Sequence, residues 1–399
     1  MTFTSPAEQT RSAIKNLRIR FWGVQGSCPL FPEVHEVEDY KTLVARDAIR
    51  RVLEDLRQRG NGQGLSVEEI LRGPLNEGTV AAYQRQLGIT DLPVFGGETT
   101  CVSIETSDKQ IIILDGGSGI RNASKFLLRH WGSRPRELSI LATHEHLDHR
   151  CGLPFCQFCY VRPGFHVTLY GTRQLLDALD QRYGLFSRQT TAQMHYDDPI
   201  DYRSMAATFE GVEVPRSDGQ PQNDPPRHWR MHEPGQLIHI GGTTVEPFDV
   251  YHGFTRCIAY KIRHKDVTFV FCTDHELRHG PHDDDPRQRQ SLGAEKRLVE
   301  KCRGADLAYF DGQYFLEEYL GQKGIGATAP VSRIDWGHGC IEDVLRRCRE
   351  CGVKHALIGH HDPERIWQER LELDQRLRAM QMGNGCSVEL AKSDMVVDL

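Results

Sequence analysis

The chain has 399 residues, of which 39% are hydrophobic and 26% are charged, and 49 basic against 55 acidic side chains give a net charge of −6. This composition is ordinary for a globular protein with a buried core, and a mildly acidic chain lacks the basic surface that binds nucleic acid or anionic membranes. No apolar run approaches the ~18 residues of a membrane helix, and the N-terminus has no apolar signal region, so we expect a cytoplasmic protein.

The twelve cysteines are too sparse for a disulfide scaffold and favour a reducing compartment. Two CxxC pairs, Cys156/Cys159 and Cys348/Cys351, have the spacing of zinc ligands. The second pair lies in IEDVLRRCRECG, whose pattern predicts a helix in which residues three apart are simply neighbours. We therefore favour small buried side chains over a shared zinc site.

In chain order, a first strand is predicted over 17–22 (LRIRFW), and a helical insertion follows over 31–93. A long helix over 38–60 opens the insertion. A capping-box pattern, Ser66 with Glu69 three residues on, then predicts a second helix, and a short third helix is expected over 79–87. One face of the long helix is apolar and carries Ala45, Ile49, Val52, Leu53 and Leu56.

Strand patterns resume after the insertion and alternate with helices. The predicted strands are TTCVSIET, KQIIILD, ELSILAT, HVTLYG, GGTTVEPFDV, CIAYKIR, DVTFVFCTD and KHALIGH. Helices are predicted near 122–130, 173–183, 291–301, 340–351 and 364–380, and the Pro-rich segment 216–235 predicts a surface loop. This mixture indicates an α/β (α+β) protein with a layered sheet core.

The segment THEHLDH, directly after the apolar strand ELSILAT, concentrates four ligand-type side chains: His144, His146, Asp148 and His149. In extended backbone alternate residues point to one side, so His144 and His146 can share one ion while Asp148 and His149 turn toward a second point. Imidazole and carboxylate donors suit Zn, Mn or Fe. A solvated loop with chance histidines is the alternative, and the four residues together favour a metal site.

HEHLDH resembles the HxHxDH signature of the metallo-β-lactamase superfamily. The flanking motifs are similar, in order, to the branch that contains ribonuclease Z and the cyclic-phosphate phosphodiesterases: GVQGSCP, FGGETTCVSIE, IILDGGSGIR, YHGFTRCIAYKI, FVFCTDHE, DGQY, WGHGCIEDVL and ALIGHHDPE. The resemblance implies a metallo-β-lactamase αββα sandwich over residues 17–399 with metals at one edge. We expect the 31–93 insertion, which leaves the core between two of these motifs, to form a helical cap near that edge.

The same resemblance implies two divalent ions, Zn first and Mn as the alternative. One ion would be held by His144, His146 and His252, the other by Asp148, His149 and His360, and Asp274 would bridge them. An Asp at 274, where one β-lactamase branch has Cys, argues against β-lactam hydrolysis. His361 competes with His360 for the last position, and the register of ALIGH favours His360. Asp115 either supports the HEHLDH loop or is an ordinary turn residue.

Catalytic roles follow from the resemblance as well. His338 lies where the branch carries a histidine that can protonate the leaving oxygen. Asp311 lies where the branch has an acidic residue that orients this histidine, and Asp148 is the third predicted catalytic residue. The alternative for His338 is a cap of the helix that starts near Cys340. Arg256 is either a phosphate contact or a strand arginine, and His275 is a further candidate.

We expect a phosphodiesterase acting on a small cyclic nucleotide or cyclic phosphate, and a homodimer as is common in this branch. The alternatives are a ribonuclease Z-like RNA nuclease, a hydrolase of non-phosphate esters, and a binding or sensor protein on the same scaffold. Between residues 210 and 233 the sequence has five acidic residues and only three arginines, and this negative balance makes a nucleic-acid partner less favoured.

Overall fold

The computed structural model describes residues 14–31, 34–60, 64–89, 93–187, 205–216, 228–280, 285–380, 382–383 and 385–399. Its contacts divide the chain into two compact units, residues 31–94 and the remainder. Most of the predicted 216–235 loop, from 217 to 227, lies outside the described residues.

The smaller unit is helical. Its helices are α1 (Val34–Gln58), α2 (Val67–Leu71) and α3 (Glu77–Gln86). The capping box at the start of α2 is present, since the Ser66 hydroxyl accepts from the Glu69 backbone and the Glu69 carboxylate accepts from the Ser66 backbone. Tyr83 donates to Asp55 over 2.7 Å and so ties α3 to α1. The predicted apolar face of α1 stays largely open, with Ile49 61% exposed and Leu53 48% exposed.

The larger unit contains two sheets. In the first sheet the order is β15-β1-β2-β3-β4-β5-β6-β7, antiparallel from β15 to β3 and parallel from β3 to β7. These strands are β1 (Leu17–Gly23), β2 (Cys101–Thr106), β3 (Ile111–Leu114), β4 (Glu137–Leu141), β5 (His166–Gly171), β6 (Thr208–Glu213), β7 (Arg230–Met231) and β15 (Val396–Asp398).

The second sheet has the order β14-β13-β12-β11-β10-β9-β8, parallel from β14 to β11 and antiparallel from β11 to β8. Its strands are β8 (Ile238–Ile240), β9 (Thr243–His252), β10 (Thr255–His264), β11 (Val267–Cys272), β12 (Leu307–Asp311), β13 (His355–Gly359) and β14 (Ser387–Leu390). Helices α4 (Ile120–Arg129), α5 (Arg173–Tyr183), α6 (Pro286–Cys302), α7 (Leu316–Tyr319), α8 (Ile341–Cys351) and α9 (Trp367–Ala379) complete the unit.

The two-residue period of the strands builds the layers. On β3, Ile112 and Leu114 join the core between the sheets, while Ile111 and Ile113 point outward to a core that includes α4 and α5. On β11, Phe269 and Phe271 enter the same central core, and Val270 and Cys272 face a third core that includes α6, α8 and α9. The predicted αββα sandwich is therefore confirmed, and no helix in the described part of the chain is long and apolar enough to cross a membrane.

The cysteines pack as apolar side chains. Cys156 and Cys159 lie in the outer core of the first sheet, and Cys348 and Cys351 lie in the outer core of the second, so the two CxxC pairs share no site. All twelve cysteines are among the described residues, and none of them forms a disulfide bond.

Candidate metal centre

The ligand-type side chains meet where strands of both sheets end. Strands β3 and β4 run parallel in the first sheet, and β11, β12 and β13 run parallel in the second, so their carboxyl ends gather at one edge. Sites in α/β proteins are commonly built at this kind of edge. The residues at or just after these ends, together with the end of β9, are Asp115, His144, His252, Asp274, Asp311 and His360.

Two groups of donors form around Asp274. The first comprises His144, His146, His252 and Asp274, and the second comprises Asp148, His149 and His360; within each group the ligand atoms lie within 4.8 Å of one another.

The Asp274 carboxylate lies between the groups. Its Oδ2 is 3.5 Å from Nε2 of His144 and of His252. Its Oδ1 is 3.3 Å from His149 Nε2 and 3.2 Å from His360 Nε2. One carboxylate thus presents one oxygen to each set of imidazoles, which is the arrangement of a bridging ligand.

Neighbouring groups fix the orientation of four imidazoles by engaging Nδ1. His144 Nδ1 contacts Thr143 Oγ1 at 3.0 Å, and His149 Nδ1 donates to Asp115 over 2.8 Å. The remaining two contacts are His252 Nδ1 to the Gly337 carbonyl at 2.8 Å and His360 Nδ1 to the Gln313 side-chain amide at 3.0 Å. Nε2 of each ring therefore faces the cluster, and at His144, His149 and His252 the partner is an oxygen that can accept the Nδ1 proton, as metal-binding histidines require.

His146 is placed differently. Its Nδ1 lies 3.1 Å from His252 Nε2, its Nε2 contacts Thr255 Oγ1 at 3.1 Å, and its side chain is exposed. The first group of donors therefore opens to solvent on the His146 side.

Asp115 supports the loop that carries the HEHLDH motif. Buried at the end of β3, it accepts from the Thr143 backbone at 2.7 Å, from the Thr143 hydroxyl at 3.0 Å and from His149. Asp115 and His360 have φ of 57° and 54°, a left-handed backbone that is strained for non-glycine residues. Strain of this kind is characteristic of functional sites.

The charges in the cluster are strongly coupled. Burial lowers the pKa of His144 well below its ordinary value and that of His252 to about 4. Burial also opposes the charged form of His149, yet the carboxylates of Asp274 and Asp148 raise the pKa of this imidazole well above its usual range. Asp274 is held ionised, because the neighbouring imidazoles keep its pKa well below normal despite burial.

The donor set fits divalent ions. Nε2 of His144 and Nε2 of His149 are buried and have no hydrogen-bond partner within the described structure. Unpaired buried polar atoms of this kind are costly unless a ligand satisfies them. Imidazole nitrogens with two ionised carboxylates match the preferences of Zn²⁺ and also suit Mn²⁺.

His338 lies beside the cluster with Asp311 behind it. His338 Nδ1 is 3.0 Å from Asp311 Oδ2 and 4.0 Å from Asp274 Oδ2, and the ring stacks on His360 with centroids 4.8 Å apart. The side chain is 12% exposed, so one edge remains accessible. Burial alone would lower its pKa, but the Asp311 carboxylate raises the pKa of His338 to about 9.

The loop that carries His338 is organised by Glu276, a residue that the sequence motifs do not single out. This buried carboxylate accepts from the backbone N–H groups of Asp335 (2.9 Å) and Gly337 (2.8 Å) and from the Tyr319 hydroxyl. Gly337 has φ +88°, and a Cβ there would lie 2.1 Å from His252 Nδ1, so only glycine fits. The sequence offers one sign of this role, since Glu276 comes two residues after the predicted bridging ligand Asp274.

Three other candidates lie outside the donor groups. His361 Nε2 donates to the Ala391 carbonyl at 2.8 Å, which leaves His360 facing Asp148 and Asp274. His275 pairs with Glu295 at 2.9 Å. Arg256 donates to Asp249 and to the carbonyls of Val214 and Pro215, contacts typical of a structural strand arginine.

Comparison with known proteins agrees with this geometry. The model of the family described as "Beta-lactamase superfamily domain" matches residues 111–361, more than half of the chain. No curated protein sequence matches the chain at a significant level.

Among solved structures, Zn²⁺-bound PqqB from Methylobacterium extorquens aligns over 96% of this chain and all of its own at a TM-score of 0.52 and 12% identity. The metallo-β-lactamase fold protein YhfI from Bacillus subtilis gives a TM-score of 0.48 at 13% identity over 96% of this chain and 99% of its own. Human tRNase Z, short form, gives a TM-score of 0.48 at 13% identity over 95% of this chain and 98% of its own. At 12% identity the similarity to PqqB shows the fold alone. The family-model match shows that the chain belongs to the β-lactamase superfamily, whose metallo-β-lactamase-fold members are metal-dependent hydrolases.

Proposed function

We propose that the protein is a dinuclear metal-dependent phosphodiesterase that acts on a small cyclic nucleotide or cyclic phosphate. The observation that carries the proposal is the position of Asp274, whose two oxygens face two separate groups of imidazoles. One ion would be held by His144, His146 and His252, the other by Asp148, His149 and His360, with Asp274 shared.

When bound, two divalent ions would supply an activated water and neutralise charge on a phosphoryl group. Their combined charge exceeds that of the two carboxylates in the donor groups, so the loaded site keeps a net positive charge. A positive site favours an anionic phosphodiester over a neutral lactam or ester.

His338 is proposed to protonate the leaving oxygen. Because its pKa is raised to about 9, the imidazole carries its proton at neutral pH, and nearby cations would bring this pKa down toward the range useful for a general acid. Asp311 holds Nδ1 and leaves the other ring nitrogen to donate. Asp148, fixed by the Ser27 backbone N–H at 2.9 Å, completes the proposed reaction site.

A small substrate is favoured over RNA by charge. The chain has a net charge of −6, and binding to a nucleic-acid backbone draws its affinity from clustered basic residues. In the acidic segment considered above, Asp218, Asp224 and Arg227 lie outside the described residues, and the described Glu210 is paired with Arg230.

The test is a substrate panel with the Zn- and Mn-loaded protein. Cyclic and linear phosphodiesters, a short RNA and a carboxylic ester are compared in the wild type, in Asp274→Ala and in the control Asp108→Asn. We expect hydrolysis of small cyclic phosphodiesters that Asp274→Ala abolishes and Asp108→Asn retains. Faster hydrolysis of RNA or of the carboxylic ester would contradict the proposed substrate class.

The role of His338 is tested with leaving groups of different quality. His338→Ala should lower turnover of a poor alkoxide leaving group by ~10²–10⁴-fold and affect a nitrophenol ester much less, since a good leaving group needs no proton. His239→Ala, an exposed histidine on β8, is the control. Equal losses on good and poor leaving groups would show that His338 is not the acid.

Three further features belong to the proposal. A homodimer is supported by the apolar side chains that α1 leaves exposed, and light scattering that shows a monomer at working concentration would exclude it. Placement in a reducing cytoplasm is supported by the twelve cysteines, none of which forms a disulfide bond. The capping role of the 31–93 insertion stays a prediction.

A further inference from the structure

A cavity of about 420 Å³ adjoins His338. Its volume lies within the ~300–1,000 Å³ that is usual for small-molecule sites. Since His338 is both a member of its lining and a neighbour of Asp274 and His360, a molecule in the cavity lies next to the proposed reaction site.

One part of the lining is apolar and aromatic. Trp336, Val331 and Ala329 contribute to it, and Trp336 is 54% exposed although it is a large aromatic side chain. The Arg333 guanidinium lies 5.7 Å from the centre of the Trp336 ring and 5.3 Å from the centre of the Tyr314 ring. The first of these cation–π contacts restrains the Trp336 indole. An open, steadied indole is a surface on which a planar ring can stack.

Another part of the lining is polar and rich in acceptors. Ser27, Gln313, Asp362 and Glu364 contribute to it. Asp362 is buried, and one of its oxygens accepts from the Glu364 backbone N–H at 2.8 Å. The charged groups of the lining are the carboxylates of Asp362 and Glu364, the Arg333 guanidinium and the His338 imidazole, and Arg333 already donates to backbone carbonyls. The lining therefore has no excess of positive charge with which to hold a phosphate, and its acceptors suit a neutral group that offers N–H donors.

We propose that this cavity binds the base of a nucleotide substrate, with Trp336 stacking on the ring and the Asp362 carboxylate accepting from amino groups at its edge. Bases with an exocyclic amine, such as adenine and cytosine, then bind better than uracil, whose exposed edge offers fewer donors. This inference rests on the proposed function for the position of the phosphate, but the base-binding step can be measured separately.

The first experiment is saturation-transfer NMR on the full-length, Zn-loaded protein with adenosine, uridine and ribose, none of which has a phosphodiester. We expect strong transfer to the ring protons of adenosine, less to uridine and little to ribose. Trp336→Ala should weaken adenosine binding by roughly tenfold or more, and Trp336→Phe should retain most of it. Leu292→Ala, which removes a comparably exposed apolar side chain from α6, is the control and should bind like the wild type.

Asp362→Asn tests the edge contact. Its amide oxygen can still accept from the Glu364 backbone, while its NH₂ replaces an acceptor with a donor, so the preference should shift from adenosine toward uridine. A preference unchanged in Asp362→Asn would overturn the edge assignment, and equal transfer in wild type and Trp336→Ala would overturn the stacking assignment.

The second experiment separates this inference from the proposed function. KM is measured for cyclic nucleotides and for glycerol cyclic phosphate, which has no base, with product followed by ³¹P NMR. We expect Trp336→Ala to raise KM for the cyclic nucleotides and to leave glycerol cyclic phosphate unchanged. Nucleoside binding without any phosphodiester hydrolysis would refute the function and leave the base site standing. Hydrolysis with equal KM for all substrates would refute the base site alone.

Discussion

Replacing Asp115 by Asn tests whether this carboxylate prepares His149 for a metal ion. The variant preserves size, and asparagine tolerates the left-handed backbone, so φ of 57° can be kept. The substitution replaces one carboxylate oxygen, a hydrogen-bond acceptor, by an NH₂ group, which is a donor. One Asp115 oxygen accepts from the Thr143 backbone, and the other accepts from the Thr143 hydroxyl and from His149 Nδ1.

Both orientations of the new amide are unfavourable. If its NH₂ faces His149, Nδ1 must accept in the neutral ring that binds a metal, and the ring proton then lies on Nε2, the atom that faces the cluster. If its NH₂ faces the Thr143 backbone, two donors oppose each other at a buried position, which costs about 1–3 kcal/mol. Loss of an orienting partner typically lowers metal affinity by ~10–100-fold, which corresponds to ~1.4–2.7 kcal/mol of binding free energy.

The assay is Zn²⁺ affinity by competition with a chromophoric chelator, together with urea unfolding of the metal-free protein. Asp108→Asn is the matched control, since Asp108 also accepts from a backbone N–H (Gly242, 2.8 Å) and is not a member of the donor groups. We expect Asp115→Asn to weaken Zn²⁺ binding by ~10–100-fold and Asp108→Asn to leave it unchanged. An affinity of Asp115→Asn within twofold of the wild type would refute the reasoning.

Further predictions concern the same edge of the sandwich. His146→Ala should remove most activity while the urea midpoint stays near that of the wild type, because the side chain is exposed; a large loss of stability would contradict this. Glu276→Gln should lower turnover without changing the fold by circular dichroism, because an amide places a donor against the N–H groups of Asp335 or Gly337; unchanged turnover would contradict this. Since the pKa of His149 is raised, the metal-free ring is protonated at neutral pH, so metal binding should release a proton and become tighter as pH rises. Calorimetry in buffers of different ionisation enthalpy measures this proton release. Metal binding without proton release would contradict the proposal that His149 is a metal ligand.

Most of the fold follows from local pattern. The strands ELSILAT and DVTFVFCTD are apolar runs whose ends carry the HEHLDH and Asp274 motifs, and the structure places β4 and β11 there. Strands β6, β7, β8, β14 and β15 were not predicted because they are short, polar or at sheet edges, where pairing rather than sequence defines a strand. The central strand β12 (LAYFD) was also missed, because it is only five residues long and a short apolar run does not by itself distinguish a buried strand from a helix.

The candidate site also has a part that the sequence predicts and a part that only the structure shows. The seven side chains that the family resemblance implied as metal ligands come together in space, and most of their motifs follow strand ends. Their orienting partners Thr143, Gln313 and Gly337 could not be predicted, since these contacts depend on how distant loops pack across the edge. The choice between His360 and His361 needed the structure for a final distinction, because adjacent residues differ only in the face to which the chain directs them.

The most direct test of the account is the metal content of the wild-type protein, purified without exposure to chelator and measured by elemental analysis against protein concentration. The two groups of donors joined by Asp274 predict about two equivalents of divalent ion per chain, with Zn as the first expectation. A content near one equivalent, or near zero, would contradict the dinuclear centre.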